Sequence, residues 1–582
     1  MDVSRLGLMV CVWALYGIGQ AAQSGLPPTI TSSSPTEQKA TPGDLLDLSV
    51  VATDSSGGPL TFKWKANTGT LGFQQDAKNT STVQWTALSC VPAGVNPTIE
   101  VTITNPSGLS VRRHFTVMWN GPACGHPPCD LQLGFNLLTL QKDCMTDVPV
   151  FIPGGFTLDG AGKSLVAVDP AGGTFTGAIL RNRDWSMNVD RLTVKAQGLK
   201  GGACHGGDDR LVGILLRNAS GSVTNSEVLD IRWSQPGAGS PESSLRGCQE
   251  GFAIMVRIED GTARNVELKG NEISGYQKAG IVVSGPVNTT VINNKVQGSG
   301  PVEDIAQNGI QFSNGATGKL TSNTISSHSY AKHCKPDDQG CVPEVASAIL
   351  VLTASSQGSS GSGRDTYLSS NTLTNNDVGI YLQKPEPDNS GSDGEARMNT
   401  LKVYENTLQN DAVTNGIPYQ VGILDTSGNG NIIYSNTVAG AGYNPATRPN
   451  ATYDVQVFGV GATSQVAFLQ APFAAVGRSG KGFCSSEAIV QSQDVNGNLS
   501  MPTSRTFKLE ASGRGGASEI TFHEEPDCKG REIKTVELTR PEATASFYVK
   551  GRGWGTVTLS VSNGSMEGSA DMQINVTAGG AR

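Results

Sequence analysis

The stretch "KAGIVVSG", residues 278–285, decides the fold because its pattern returns in "QNGIQFSNG", residues 307–315. In both stretches a small residue precedes an isoleucine, and apolar residues then alternate along an extended run. The two glycines, Gly280 and Gly309, lie 29 residues apart. Alternation with a period of two predicts a β-strand. The same form recurs in "VGILLRN", "FAIMVRI", "SAILVLT", "VGIYLQK" and "VGILDTS".

A second motif follows each of these runs and consists of an asparagine before a β-forming residue. It reads "NEI", "NKV" and "NTI" at Asn271, Asn294 and Asn323, and "NTL", "NTL" and "NTV" further along. A repeat of about 20–30 residues built from short β-runs predicts a solenoid. We expect the asparagines to form an internal ladder at a turn, where each amide bonds to the neighbouring coil.

The composition agrees with an all-β protein that has many tight turns. The chain has 582 residues, 72 of them glycine, and only 16% are charged. This length exceeds what one hydrophobic core supports and predicts several domains. Lys plus Arg number 43 and Asp plus Glu number 51, a net charge of −8. An acidic balance argues against nucleic acid as a partner.

The first residues have the pattern of an export signal. Arg5 precedes an apolar run from Leu6 to Ile18, and small residues follow at Ala21 and Ala22. This run is short for a membrane span, and no later segment qualifies. We therefore expect a signal peptide over residues 1–22 and a secreted or cell-surface protein, and we expect it to be a monomer.

The cysteines indicate disulfides, as expected in an exported chain. Ten remain after the signal segment is removed, an even number. Pairs within one loop or module are expected for Cys334–Cys341 and Cys484–Cys528. Cys204–Cys248 is expected because both residues flank one coil. Three pairings stay open for the four N-terminal cysteines, Cys90, Cys124, Cys129 and Cys144.

Alternating strands separated by Gly, Pro and Ser turns predict a β-sandwich on each side of the repeat. The N-terminal stretch "VATDSSGGPLTFKWKANTGTL", residues 51–71, resembles bacterial immunoglobulin-like and PKD-like modules. The C-terminal runs "FKLEAS", "ASFYVKG" and "GTVTLSV" resemble another immunoglobulin-like module. The predicted domains are a sandwich over 23–122, the solenoid with an N-terminal cap over 123–475, and a second sandwich over 476–582.

The two repeated motifs resemble those of right-handed parallel β-helices, in the pectate-lyase-like superfamily of secreted carbohydrate-active proteins. The resemblance implies an all-β solenoid and a polysaccharide partner bound on its outer face. It also implies lyase-like processing of an acidic glycan. The Asp pairs of the related hydrolases, the Asp-Pro-His-Asp of mannuronan epimerases and the Arg-x-Pro-x-x-Arg of pectate lyases are absent. A non-catalytic surface adhesin and a structural spacer remain alternatives.

Strand alternation predicts which side chains the outer face presents. With each repeated isoleucine inside, the preceding Gly or Ala would face outward and form a shallow trough. Alternatively, the glycine only permits a sharp corner. The polar residues expected beside the trough are the substrate-binding candidates, namely Arg217, Arg257, Gln307, Gln311, Asp377 and Tyr381. Arg217 and Arg257 should stack on adjacent coils, where they would meet an acidic ligand or a nearby carboxylate.

Two pairs of residues are candidates for chemistry. Lys278 and Asp304 stand at the entries to neighbouring coils and could serve as base and acid, or form a surface ion pair. Asp208 and Asp209, in "HGGDDR", could bind Ca²⁺ through their carboxylates, although a solvated turn is the simpler interpretation. His328 and His333 lie in an insertion that Cys334 and Cys341 would close.

Overall fold

The computed structural model is made of β-strands joined by turns, with single-turn 3-10 helices at Gly207–Asp209, Ala441–Tyr443 and Pro526–Cys528. The residues that it describes are 25–201, 204–234, 247–331, 345–352, 366–383, 401–411, 420–425, 431–443, 463–477, 482–493, 502, 504–514, 518–539 and 543–577. The predicted signal segment, His333 and the cysteines Cys334 and Cys341 lie outside them. No helix among the described residues is long and apolar enough to cross a membrane.

The N-terminal part is a β-sandwich whose two sheets share one core. Phe62, Trp64, Trp85, Ile103 and Phe115 meet in that core. One sheet contains strands Thr29–Ser33, Leu45–Thr53, Thr70–Leu71, Gln75–Asp76 and Thr80–Thr86. The other contains Glu37–Ala40, Thr61–Ala66, Thr98–Thr104 and Ser110–Trp119, and a short ribbon joins Val91–Pro92 to Ala123–Cys124.

The central part is a parallel β-helix with three long sheets, which we name sheets 1, 2 and 3. Sheet 1 contains Leu131–Leu133, Leu137–Leu140, Thr157–Asp159, Ser186–Asp190, Ser220–Thr224, Arg264–Lys269, Val287–Ile292, Thr317–Thr321, Thr366–Ser369, Leu401–Tyr404 and Ile432–Tyr434. Sheet 2 contains Cys144–Thr146, Ser164–Ala167, Thr193–Ala196, Glu227–Leu229, Glu272–Ser274, Lys295–Gln297, Thr324–Ser326, Thr372–Thr374, Thr407–Gln409 and Thr437–Ala439. Sheet 3 contains Val150–Ile152, Ala178–Asn182, Val212–Arg217, Phe252–Arg257, Ala279–Ser284, Asn308–Ser313, Ser347–Leu352, Val378–Gln383 and Val421–Asp425.

The repeated isoleucines stack inside this β-helix, as the sequence predicts. Ile281 pairs with Ile310, Ile310 with Ile349, and Ile349 with Ile380 along sheet 3. All four belong to one continuous core and have no exposed surface. Because each coil buries its apolar face only against its neighbours, the periodic isoleucine is the residue that fixes the coil register.

The Gly/Ala row points into the core, so the prediction of an outward-facing trough is wrong. Val212 pairs with Phe252, and Ile214 pairs with Ile254. Gly213 and Ala253, which lie between these pairs, are not paired with each other in the ladder. Ala253 lies in the same core as Ile254, whereas Phe252 belongs to a cluster on the other face. Two consecutive residues therefore point inward, and the strand is kinked there as at a β-bulge. The same gap recurs between neighbouring strands from Ala178–Asn182 to Val421–Asp425.

The predicted asparagine ladder is confirmed. The Nδ2 atom of Asn271 donates to Oδ1 of Asn294 at 2.9 Å, and Nδ2 of Asn294 donates to Oδ1 of Asn323 at 3.0 Å. The chain of bonds continues through Asn371 and Asn406 to Asn436, with Nδ2–Oδ1 distances of 3.0, 2.8 and 2.8 Å. Each Oδ1 also accepts the backbone N–H of the preceding ladder residue. The ladder thus satisfies buried polar groups at the turn between sheets 1 and 2.

The C-terminal part is a second β-sandwich with a separate core. One sheet contains Gln465–Gln470, Phe483–Cys484, Ala488–Gln493, Ser518–His523, Glu532–Ile533 and Thr544–Arg552. The other contains Ala474–Gly477, Thr506–Arg514, Thr535–Glu537, Gly555–Ser562 and Glu567–Thr577. Gln465–Gln470 pairs with Ala488–Gln493, so strands of this sandwich begin before residue 475, where the sequence pattern placed the boundary.

Four disulfides join described residues. Cys204–Cys248 and Cys484–Cys528 are present as predicted. Of the three open pairings of the N-terminal cysteines, the structure has Cys90–Cys124 and Cys129–Cys144. Disulfides fit an extracellular protein.

Candidate functional site

Three arginines and two carboxylates form a network beside the N-terminal coils of sheet 3, which we name the arginine cluster. It contains Arg181, Arg217, Arg257, Asp208 and Glu259. Arg217 and Arg257 are paired end residues of neighbouring strands, as predicted. Neighbouring strands lie about 4.8 Å apart, so the two guanidinium groups repel each other. Carboxylates close to both groups would offset this repulsion.

Asp208 and Glu259 provide that compensation. Asp208 contacts a nitrogen of Arg217 closely, and it lies 3.8 Å from Nη1 of Arg257 and 3.7 Å from Nη2 of Arg181. Glu259 contacts Arg257 closely, and its Oε2 lies 3.2 Å from Nε of Arg217. All five side chains keep part of their surface exposed. Three guanidinium charges against two carboxylates leave a net charge of +1.

Local backbone structure holds the cluster in place. Oδ1 of Asn182 accepts the N–H of Arg217 at 2.7 Å, and Nδ2 of Asn182 donates to the carbonyl of Arg217 at 2.9 Å. Asn218 adopts a left-handed φ of 49°, and its Oδ1 accepts the N–H of Glu259 at 2.7 Å. Asparagine tolerates this conformation better than most residues and caps the turn with its side chain.

Arg181 has a donor that none of the described residues uses. Its Nε–H is buried and has no hydrogen-bond partner among them. Burial lowers the pKa of the Arg181 guanidinium, and Asp208 partly offsets this, but an arginine in a protein remains charged. A buried charged donor without a partner is unfavourable, so this position favours an additional acceptor.

Two of the predicted substrate-binding residues lie inside the protein. Gln307 is 2% exposed and Asp377 is 1% exposed. Nε2 of Gln307 donates to the carbonyl of Tyr276 at 2.8 Å, and Oδ2 of Asp377 accepts the N–H of Tyr330 at 2.8 Å. The kink before each isoleucine reverses the side to which these positions point, so their side chains support the turns.

The positions after the isoleucine keep the predicted orientation. Gln311 and Tyr381 are partly exposed on the outer face of sheet 3, and Nδ2 of Asn308 donates to Oε1 of Gln311 at 3.2 Å. The apolar residues of the same row, Leu215, Met255, Val282, Leu350 and Leu424, are buried. Most side chains of this row are therefore buried, although the row lies on the outer face of sheet 3.

Lys278 and Asp304 lie at adjacent coil entries. Nζ of Lys278 donates to the carbonyl of Ala306 at 2.7 Å, two residues along the chain from Asp304. The N–H of Asn308 donates to the carbonyl of Lys278 at 3.0 Å, which joins the two coils. Both candidates are partly exposed.

The two candidate Ca²⁺ ligands, Asp208 and Asp209, have different surroundings. Asp208 is bound by the arginines, whereas Asp209 is exposed in the same 3-10 turn. No group of three or more His, Cys, Asp or Glu side chains in the described ranges could hold a metal ion. Glu250 is fully buried, and its carboxylate accepts from His205 Nδ1 and from the N–H of Leu211, both at 3.2 Å.

Sequence reasoning missed Arg181 and Glu259. The triplet Leu-Arg-Asn occurs at 180–182 as well as at 216–218, and this repetition was the available signal for Arg181. No comparable pattern marks Glu259, because its position depends on the turn that Asn218 makes.

No family model and no curated protein matches the sequence. Among solved structures, a titin I-band fragment, I67–I69, matches with 8% identity and a TM-score of 0.14, covering 95% of this chain and 99% of the fragment. A family 28 exopolygalacturonase of Yersinia enterocolitica matches with 8% identity and a TM-score of 0.18, covering 69% of this chain and 91% of the enzyme. Scores this low support no conclusion about activity.

Proposed function

We propose that the protein is exported and binds an acidic extracellular or cell-wall polysaccharide through the arginine cluster. The observation that carries the proposal is the excess of guanidinium charge on neighbouring coils, together with the buried Nε–H of Arg181, for which the described residues provide no acceptor. Guanidinium groups bind carboxylates with two parallel hydrogen bonds. A polyuronate presents carboxylates at regular intervals, which suits cations placed on successive coils.

The proposal extends to lyase-type processing by Lys278 and Asp304. In such a step the Lys278 amine takes the proton beside the uronate carboxylate, electrons form a C=C bond, and the glycosidic C–O bond breaks. Asp304 donates a proton to the departing oxygen. Support comes from the placement of both residues at adjacent coil entries, with Nζ of Lys278 reaching across to Ala306.

The test is binding and turnover on a panel of polyuronates. We expect the double variant Arg217→Ala with Arg257→Ala to bind an acidic glycan about tenfold or more weakly. The wild-type affinity should also fall with added salt. Arg232→Ala is the control, because Arg232 is an exposed arginine that forms an ion pair with Asp230, outside the cluster. Equal affinity in the double variant would disprove the site.

Turnover separates the enzyme from the adhesin. A lyase would release products that carry a C=C bond and absorb ultraviolet light, and Lys278→Ala or Asp304→Ala would abolish this signal without weakening binding. Binding without turnover would identify an adhesin. If no polyuronate binds, the proposal fails and a structural spacer becomes the better interpretation. Repeating the assay with a chelator tests Ca²⁺ dependence.

A further inference from the structure

A second candidate site lies where the N-terminal sandwich meets the start of the β-helix. A cavity of about 390 Å³ opens between them. Sandwich residues Asp47, Phe73 and Gln84 line one part, and Gly134 and Phe135 of the β-helix line another. The volume falls within the range of about 300–1,000 Å³ that is usual for small-ligand sites, which often occur between domains.

Two aromatic rings at the cavity are strongly exposed. Phe73 is 70% exposed and Phe135 is 89% exposed. Phe135 stands at the tip of the hairpin between Leu131–Leu133 and Leu137–Leu140, which is closed by a 2.7 Å bond from the N–H of Gly134 to the carbonyl of Leu137. Exposing two large apolar rings at one cavity is unfavourable in water, and such clusters mark binding surfaces.

Hydrogen-bonding side chains lie beside the rings on a regular sheet. Asp47 and Gln84 are paired across two strands, and Nε2 of Gln84 donates to Oδ1 of Asp47 at 3.0 Å. This bond leaves Oδ2 of Asp47 and Oε1 of Gln84 as acceptors, and no bond within the described residues uses them. Because both groups are held by paired strands, little freedom would be lost when a ligand binds.

We propose that this cavity binds an uncharged saccharide segment. A sugar ring has an apolar C–H face, which would cover Phe73 and Phe135, and hydroxyl groups at its edge, which would donate to Asp47 and Gln84. The Asp47 carboxylate would repel a uronate, so the ligand class differs from that proposed for the arginine cluster. The site does not depend on that proposal.

The experiment measures the binding of uncharged hexasaccharides, of the β-glucan, mannan and xylan types, to the full chain by calorimetry. At least one is expected to bind, with an affinity that changes little between low and high salt. Phe135→Ala should weaken it by about tenfold. Because the ring is exposed, its removal should leave the melting temperature unchanged, which confirms that the variant is folded. Asp47→Ala should also weaken binding.

Two controls make the result decisive. Trp185→Ala removes another exposed aromatic side chain, 66% exposed and outside the cavity, and should bind as the wild type does. The double variant Arg217→Ala with Arg257→Ala should also bind the uncharged sugar normally. The proposal is overturned if no hexasaccharide binds, or if Phe135→Ala binds equally well. It is also overturned if sedimentation shows that Phe135 instead joins two copies of the chain.

Discussion

At the residue scale, the position before each isoleucine shows how little space the core leaves. A Cβ atom on Gly309 would lie 2.5 Å from the carbonyl oxygen of Ala348 and 2.6 Å from Cγ2 of Ile325. Gly280 and Gly379 have equally close neighbours, at 2.5 and 2.4 Å. Close packing between sheets 2 and 3 therefore requires a glycine at these positions.

Gly309→Ala should destabilise the protein by about 1–3 kcal/mol, because the added methyl group meets backbone as well as side chains. Chemical denaturation measures the change. Gly206→Ala is the matched control, because Gly206 has an extended backbone with φ of −123°, and no described residue other than its chain neighbours comes within 4 Å of its added Cβ. If Gly309→Ala and Gly206→Ala are equally stable, the inward orientation of Gly309 is wrong.

His328 is a second residue with a defined environment. Its backbone N–H and its Nδ1 both contact Oδ1 of Asn376, at 3.0 and 2.8 Å, and its Nε2 contacts the hydroxyl of Tyr276. Since the amide oxygen only accepts, Nδ1 carries the proton and Nε2 accepts from Tyr276. The imidazole is fully buried and neutral, and burial lowers its pKa from 6.5 to about 4.

This pKa predicts an acid-sensitive component of stability. The unfolded chain binds a proton at His328 below pH 6.5, whereas the folded chain does so only near pH 4. The stabilising effect is therefore complete above pH 6.5 and is lost as the pH falls toward 4, a total of about 3 kcal/mol. His328→Gln cannot titrate, so its unfolding free energy should fall less over this interval. An identical fall in both proteins would contradict the assignment.

At the scale of elements, the sequence predicts the strands and their order. It does not always predict whether a side chain points into the core or outward. Alternation correctly predicts that Ile310 points inward and Arg217 outward, because the strands are regularly paired from the repeated isoleucine onward. Gln307 and Asp377 lie across the kink, and alternation assigns them to the wrong face. A glycine alone does not reveal a kink, since the same residue type suits a trough, a corner or a close contact.

The arginine cluster was predictable only in part, for a similar reason. Arg217 and Arg257 follow from the register of the repeat. The sequence predicts Asp208 as a Ca²⁺ ligand or as part of a solvated turn, and its contact with both arginines depends on how a loop outside the repeat returns to the sheet. Loop positions carry no periodicity from which a partner could be inferred.

The asparagine ladder behaves as one element. Asn323→Ala would remove the Oδ1 that accepts from Asn294 and the Nδ2 that donates to the carbonyl of Val291. Buried groups would then lack partners on both neighbouring coils, and we expect a loss of about 2–4 kcal/mol in unfolding free energy. Asn265→Ala is the control, because Asn265 is exposed on sheet 1. Comparable losses in both variants would show that the ladder contributes no special stability.

At the scale of the whole molecule, the N-terminal sandwich is attached to the first coils by several contacts. The N–H of Phe151 donates to the carbonyl of Leu88 at 2.8 Å, and Nε of Arg183 lies 3.0 Å from Oδ1 of Asp44. Leu88 packs into the core of the β-helix itself. The sandwich therefore covers the end of that core.

Disulfide mapping tests this arrangement in the intact protein. Digestion without reduction should yield the linked peptides Cys90–Cys124 and Cys129–Cys144, and also Cys204–Cys248 and Cys484–Cys528. Cys129→Ser combined with Cys144→Ser should lower the unfolding free energy by about 2–4 kcal/mol, because the bridge ties the hairpin to sheet 2. Peptides that link Cys90 to Cys129 or Cys144 would contradict the structure of this junction.

The hairpin also changes the direction of the strands at the first edge of sheet 1. A stack of parallel strands ends in unpaired N–H and C=O groups, onto which the last coil of another molecule could add in the same direction. Here the first strand of sheet 1, Leu131–Leu133, runs antiparallel to Leu137–Leu140 and presents the opposite backbone polarity. A coil that added here in the direction of the repeat would pair antiparallel with Leu131–Leu133, so the parallel ladder of sheet 1 does not continue across this end. The reversed strand thus interrupts the parallel repeat in sheet 1, whereas sheets 2 and 3 begin with parallel pairs.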